Sequence, residues 1–151
     1  IGIFNRSHYE DVLIGKVREL APADEIERRY GQINAFEALL AETGTRILKF
    51  MLHISKDEQK ERLQERLDDP AKRWKFNAGD LEDRKLWRRY QAAYETMLSR
   101  CSTTAAPWWI VPADRKWVRN ATIARIVRVT LEEMDPRYPV PDWKPEDFTI
   151  S

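Results

Sequence analysis

The sequence predicts an α/β fold, a parallel sheet with helices on both faces. Three observations lead there. Short apolar runs at residues 1–4, 46–54 and 108–111 lack the alternation of a half-exposed strand and read as strands buried on both sides. Segments of helical period separate them. The polar segments Asn5–Asp11, Ser55–Lys56 and Pro112–Lys116 follow directly on those runs, at the carboxyl ends of the strands, where ligands gather in such sheets.

The first run, Ile1 to Phe4, reads as a strand with its carboxyl end at Asn5. It begins as though entered in mid-strand, and three strands are few for a parallel sheet, so further strands are expected upstream of Ile1. Residues 24–43 read as a helix: Asp24 takes the N-cap position with Glu27 three residues on, the spacing of a capping box. Ile26, Tyr30, Ile33, Phe36, Leu39 and Leu40 fall on one face, and Gly44 ends the helix. After the strand at 46–54, Ser55 and Glu58 cap a helix that runs to Asp69. Its apolar stripe is only Leu63 and Leu67, so it lies at the surface.

Pro70 to Asp80 is a break. Asp80 opens a long helix to Arg100, with Leu86, Trp87, Tyr90, Ala93, Tyr94, Met97 and Leu98 on its apolar side. Pro112 ends the strand at 108–111. Asp114 is placed to cap a last helix over 115–134, with Val118, Ile123, Ile126, Val127 and Leu131 facing inward. Prolines 136, 139, 141 and 145 then exclude regular structure, leaving a tail that packs by Tyr138, Trp143 and Phe148. The expected organisation is one domain over 1–134 and an extended tail over 135–151.

The 151 residues are 42% hydrophobic and include six Trp, enough for a core and too much for a disordered tail. Lys and Arg number 26 against 25 Asp and Glu, a net charge of +1. Overall charge therefore predicts neither a nucleic-acid nor a membrane partner, and a polyanion site has to be a local cluster. Cys101 is the one cysteine, which rules out an intrachain disulfide and predicts a reducing, cytoplasmic setting. It reads as a small buried hydrophobe near a helix end.

Two segments carry cations where phosphate chemistry could use them. A polar residue at a strand end often holds Mg²⁺ in phosphate-binding folds, which makes Asn5 a candidate metal ligand. Arg6 beside it could clamp a phosphate with its planar fork. The alternative is a helix cap, with Ser7 capping a helix that starts at His8 and carries Glu10 at its third position. His8 reads as a hydrogen-bonded structural residue, and adjacent Glu10 and Asp11 point in different directions on a helix. The second segment holds three cations in four residues, Lys72, Arg73 and Lys75, interleaved with Trp74 and Phe76. Over a phosphate site it would act as a lid that neutralises the transferring group and excludes water. The alternative is a solvated loop with its aromatics packed back on the fold. Asp114 to Lys116 could contact a nucleotide base or ribose. No Gly-x-x-x-x-Gly-Lys loop occurs, and the five glycines stand apart at 2, 15, 31, 44 and 79. No Cys/His spacing suits zinc.

Phe4-Asn5-Arg6-Ser7-His8-Tyr9-Glu10-Asp11-Val12-Leu13 resembles the second nucleotide-binding motif of the polyphosphate kinase 2 family. Ile54 to Gln59, Arg62-Leu63, Asp69-Pro70, Lys72 to Phe76 and Asp80 resemble its lid module, here about residues 56–89. Arg89-Tyr90, Ala106-Pro107-Trp108, Pro112-Ala113-Asp114 and Lys116 follow in the family's order. The resemblance covers nearly the whole chain. It implies a P-loop kinase fold of the thymidylate-kinase type, incomplete here, because the family's Gly-rich first motif with its Asp and Lys would lie before Ile1. It also implies transfer of a phosphoryl group between inorganic polyphosphate and a nucleoside mono- or diphosphate, adenine or guanine, with Mg²⁺. By the same resemblance Asn5 lies near the metal, and Arg6, Arg73 and Lys75 act on the transferring phosphate. Lys72, Arg73 and Lys75 would hold polyphosphate, and Glu10, Asp11 and Lys116 would face the nucleotide. The isolated chain is expected to be inactive, and a Trp-rich surface makes a homo-oligomer plausible. Two other readings stand beside this one: an ATP-dependent nucleoside monophosphate kinase, and a non-catalytic polyphosphate-binding or interaction protein.

Overall fold

The structure is a computed structural model and describes residues 1–149. Its sheet is parallel, as expected, and is formed by the second and third apolar runs. Strand β1, Lys49–His53, pairs with β2, Trp108–Pro112, with Lys49 opposite Trp108 and His53 opposite Pro112. Parallel strands need a long crossover. Here it consists of helix α3 (Lys56–Asp68), a 3₁₀ turn at Arg73–Lys75, α4 (Gly79–Lys85) and α5 (Trp87–Cys101). Ser55 caps α3 as its sequence spacing predicts, accepting a hydrogen bond from the Glu58 amide at 3.1 Å.

Residues 1–4 do not form the expected strand. Ile1, Ile3 and Phe4 are exposed, and no backbone hydrogen bond links the segment to β1 or β2. An apolar run becomes a strand only where a neighbour supplies its ladder partners. Among the described residues the sheet therefore has two strands.

Helix α2, Ala23–Glu42, starts one residue earlier than expected, behind Pro22, whose fixed φ and missing amide suit a helix start. Asp24 does not cap it; its carboxylate pairs with Arg28 one turn on, at 2.7 Å. The buried face is Ile26, Tyr30, Ile33 and Glu37, while Phe36 and Leu39 are exposed. Gly44, at φ +87°, ends the helix in the left-handed region that glycine enters freely.

The long helix expected over 80–100 is broken at Leu86, whose amide bonds back three residues to the Asp83 carbonyl. Arg18 and the Tyr90 hydroxyl both donate to the Asp83 carboxylate at this joint. The core lies between α5 (Ala93, Met97, Cys101), α2 and the segment that precedes it, a 3₁₀ turn at His8–Asp11 followed by α1 (Ile14–Val17).

Helix α6, Lys116–Met134, has Arg115 at its N-cap and no side-chain cap, so Asp114 does not play that part. Its five expected inward residues are half-buried and none is fully buried. In the tail, Trp143 meets Phe148 edge-on, at 5.5 Å between ring centroids. Tyr138, Val140, Trp143 and Phe148 are all exposed, and one 3₁₀ turn forms at Pro145–Asp147. Among the described residues no helix is long and apolar enough to cross a membrane.

Candidate functional site

The carboxyl ends of β1 and β2 are tied together by side chains. Asp114 accepts a hydrogen bond from the Ser55 amide at 2.8 Å. Arg62 of α3 donates to the Ala113 and Asp114 carbonyls at 2.6 and 3.2 Å and to Glu58 at 2.7 Å. A cleft of about 320 Å³ opens there, lined by His53, Ser55, Asp114, Arg115 and Val118. Two of the three expected polar segments thus meet at the strand ends.

The third segment stands elsewhere. Asn5 and Arg6 lie in an exposed bend, and no hydrogen bond or ion pair among the described residues joins Asn5–Asp11 to Ser55–Lys56 or to Asp114–Lys116. Without the strand at 1–4, nothing carries Asn5 to the sheet edge. Arg6 has φ +76°, a left-handed conformation that costs a residue with a side chain about 1–2 kcal/mol. Strain of this kind persists where the surroundings impose it, and it often marks a functional loop. The Arg6 guanidinium lies 3.6 Å from Glu10 and is largely in solvent. Asp11 lies 3.7 Å from Arg29 of α2. Ser7 caps the turn, accepting from the Tyr9 amide at 3.4 Å, as its spacing predicts.

Below this loop lies a buried polar cluster that the sequence reading did not single out. Lys49, the first residue of β1, donates to Glu37 Oε2 at 2.6 Å, to the Tyr9 hydroxyl at 2.7 Å and to the Cys101 carbonyl at 2.7 Å. The other carboxylate oxygen of Glu37 meets His8 Nε2 at 3.3 Å. Glu37 is 1% exposed and Lys49 7%, so both charges are out of water. Burial, with the Glu37 charge next in weight, pushes the Tyr9 hydroxyl well above its ordinary pKa. Burial likewise raises the Cys101 thiol, so this cysteine is an inert core residue as its position suggested. The signals were present in the sequence: a lysine inside an apolar strand, and a glutamate in phase with Ile26, Tyr30 and Ile33.

The basic segment folds back on α3. Arg73 donates to the Leu67 carbonyl at 2.9 Å, and the Lys75 ammonium lies 5.0 Å from the centre of the Trp74 ring. Lys72 is held by two carboxylates, Glu65 at 2.5 Å and Asp69 at 3.2 Å. Glu65, then Asp69, raises the Lys72 pKa. Trp74 is exposed and does not pack on the fold, whereas Phe76 is half-buried. Lys116 opens α6, and its charge helps depress the Glu65 carboxyl, after the larger effect of Lys72. No hydrogen bond or ion pair among the described residues joins Lys72, Arg73 or Lys75 to Asn5–Asp11.

Asn5 offers one amide oxygen toward a cation. Among the described residues no group of three or more His, Cys, Asp and Glu is placed to hold a metal ion. Asn5 would therefore contribute one ligand to a Mg²⁺ site, and no His, Cys, Asp and Glu cluster among the described residues completes it.

The polyphosphate kinase 2 family model matches residues 1–139. An AMP/ADP-polyphosphate phosphotransferase of Meiothermus ruber is 55% identical over 148 residues, covering 98% of this chain and 55% of that protein. An ADP-polyphosphate phosphotransferase of Rhodopseudomonas palustris is 43% identical over 151 residues, covering 92% of this chain and 52% of its own length. The crystal structure of polyphosphate kinase 2 from Arthrobacter aurescens TC1 superposes with a TM-score of 0.90 at 46% identity, over 97% of this chain and 52% of that one. The fold is that of the P-loop kinases. The chain spans about half the length of the curated relatives it matches.

Proposed function

The chain belongs to the polyphosphate kinase 2 family, and from that premise we propose that it serves phosphoryl transfer between inorganic polyphosphate and a nucleoside mono- or diphosphate. The observation that carries the proposal is the 55% identity, across 98% of this chain, to a protein named AMP/ADP-polyphosphate phosphotransferase. The exposed cations fit such a substrate. Phosphoryl transfer asks a protein for little covalent chemistry and much positioning and charge stabilisation.

In this proposal Arg6 clamps a phosphate with its solvent-facing fork, and Glu10 and Asp11 face the nucleotide with Lys116. Arg73 and Lys75 belong to a lid over residues 56–89 within a domain of 1–134, and they act on the transferring group. Lys72 binds polyphosphate only after leaving Glu65 and Asp69. Mg²⁺ is the proposed cation, since hard phosphate oxygens suit it, and Asn5 would be one ligand. Self-association through the exposed Leu52, Trp109 and Ile110 and a cytoplasmic setting complete the proposal.

The chain has no Gly-x-x-x-x-Gly-Lys loop, so turnover is proposed to need a phosphate cradle supplied in addition. The test is ATP formation from ADP, polyphosphate and Mg²⁺. It is run on the chain alone and on a chimera carrying the half of the Meiothermus ruber relative that this chain does not match. The chimera is expected to turn over, the chain alone not, and Arg73→Ala with Lys75→Ala to abolish turnover in the chimera. Robust turnover by the chain alone would overturn the need for a cradle. A chimera that uses ATP with AMP but not polyphosphate would mark a nucleoside monophosphate kinase. Polyphosphate binding without turnover in both forms would mark a binding protein.

A further inference from the structure

We infer that Glu37 and Lys49 are positioning residues for the Asn5–Asp11 loop. The pair sits where four parts of the fold converge: the first residue of β1, the middle of α2, the last carbonyl of α5, and the 3₁₀ turn at His8–Asp11. Two consecutive side chains of the loop end on it. Tyr9 brings its hydroxyl to Lys49 at 2.7 Å, and His8 brings its ring to the far oxygen of Glu37 at 3.3 Å. The His8 and Tyr9 rings lie 4.8 Å apart, and Tyr9 meets the Trp108 ring edge-on at 4.8 Å. Phe36, one residue before Glu37, closes edge-on against His8 at 5.7 Å. The loop is thus fixed from beneath by charge and from the sides by rings.

The loop needs such an anchor. No strand leads into it, and Arg6 holds a left-handed backbone that an unsupported arginine leaves readily. His8 is two residues from Arg6, so anchoring His8 and Tyr9 limits the conformations open to Arg6. A buried ion pair adds little net stability against apolar residues of the same volume. What it supplies here is direction: three donors of one ammonium and two oxygens of one carboxylate tie β1, α2, α5 and the 3₁₀ turn to one point, with both His8 and Tyr9 of the turn held there. Only the description of the loop as a phosphate clamp rests on the proposed function.

The test is amide hydrogen exchange on the 151-residue chain carrying Glu37→Leu and Lys49→Met together, which leaves neither charge stranded. Exchange at residues 6–11 is expected to rise about tenfold or more while β1 and α5 stay within about twofold of the parent. Tyr9→Phe, which keeps the ring and the ion pair and removes one link, is expected to give a smaller rise confined to the same residues. Uniform acceleration across α2, β1 and α5 would make the pair a general core contact and overturn the inference, as would no change at 6–11. Should the double variant fail to fold, Tyr9→Phe decides by the same pattern. Exchange is read without turnover, so an absence of polyphosphate-dependent activity would count against the proposed function and leave this result standing.

Discussion

The Asp114 carboxylate accepts a hydrogen bond from the Ser55 amide at 2.8 Å and so joins the two residues that follow the parallel strands. The contact spans 59 positions of sequence, and Arg62 closes it from the α3 side through the Ala113 and Asp114 carbonyls. Asp114→Ala removes the acceptor and is expected to cost about 1–2 kcal/mol. Asp114→Asn keeps an acceptor oxygen and is expected to lose less. Urea unfolding of both variants against the parent checks the order.

Lys49→Met alone leaves the Glu37 carboxylate buried without its counter-charge. Breaking one side of a buried pair is strongly destabilising, and about 3–5 kcal/mol is expected. Glu37→Leu added to Lys49→Met is expected to restore most of that loss, because the stranded charge is then gone. Denaturant midpoints of the single and double variants measure it.

Arg6→Gly relieves a left-handed backbone at a position whose ion pair with Glu10 is mostly in solvent. The expected change in stability lies within about 1 kcal/mol of the parent, since the relief of strain offsets the flexibility that glycine adds to the unfolded chain. Polyphosphate or nucleotide binding, followed by calorimetry, is expected to weaken. Binding unchanged from the parent would remove Arg6 from the proposed clamp.

The junction of α3 with the basic segment should loosen in acid. The amide of Ala71, and then Lys72, holds the Asp69 carboxyl below its ordinary pKa, and Lys72 lowers that of Glu65. A carboxyl whose folded pKa is depressed stabilises the fold above its ordinary value, near pH 4, and that contribution fades as pH falls through the lower folded value. Amide chemical shifts of Ala71 and Lys72 are expected to stay constant from neutral pH down to about 5 and to move below about 4. Because these groups are exposed, added salt should weaken the coupling.

Much of the molecule was legible one segment at a time. The period that places Ile26, Tyr30 and Ile33 on one face, the Ser55 cap, the stop at Gly44 and the motif order from Asn5 to Lys116 depend on neighbours within a turn or on order along the chain. A sequence carries such features openly, and they were enough to identify the family and to expect a parallel sheet that includes 46–54 and 108–111. What required the tertiary structure were facts that depend on a distant partner. Residues 1–4 have a strand's composition and no ladder to join, and Asp24 and Asp114 have the chemistry of caps and found other partners. Lys49 and Glu37 were not singled out in the sequence; folding brings them within 2.6 Å of each other and sets both beneath His8 and Tyr9. A charge reveals its role only when its counter-charge and its burial are known together, and both are properties of the fold.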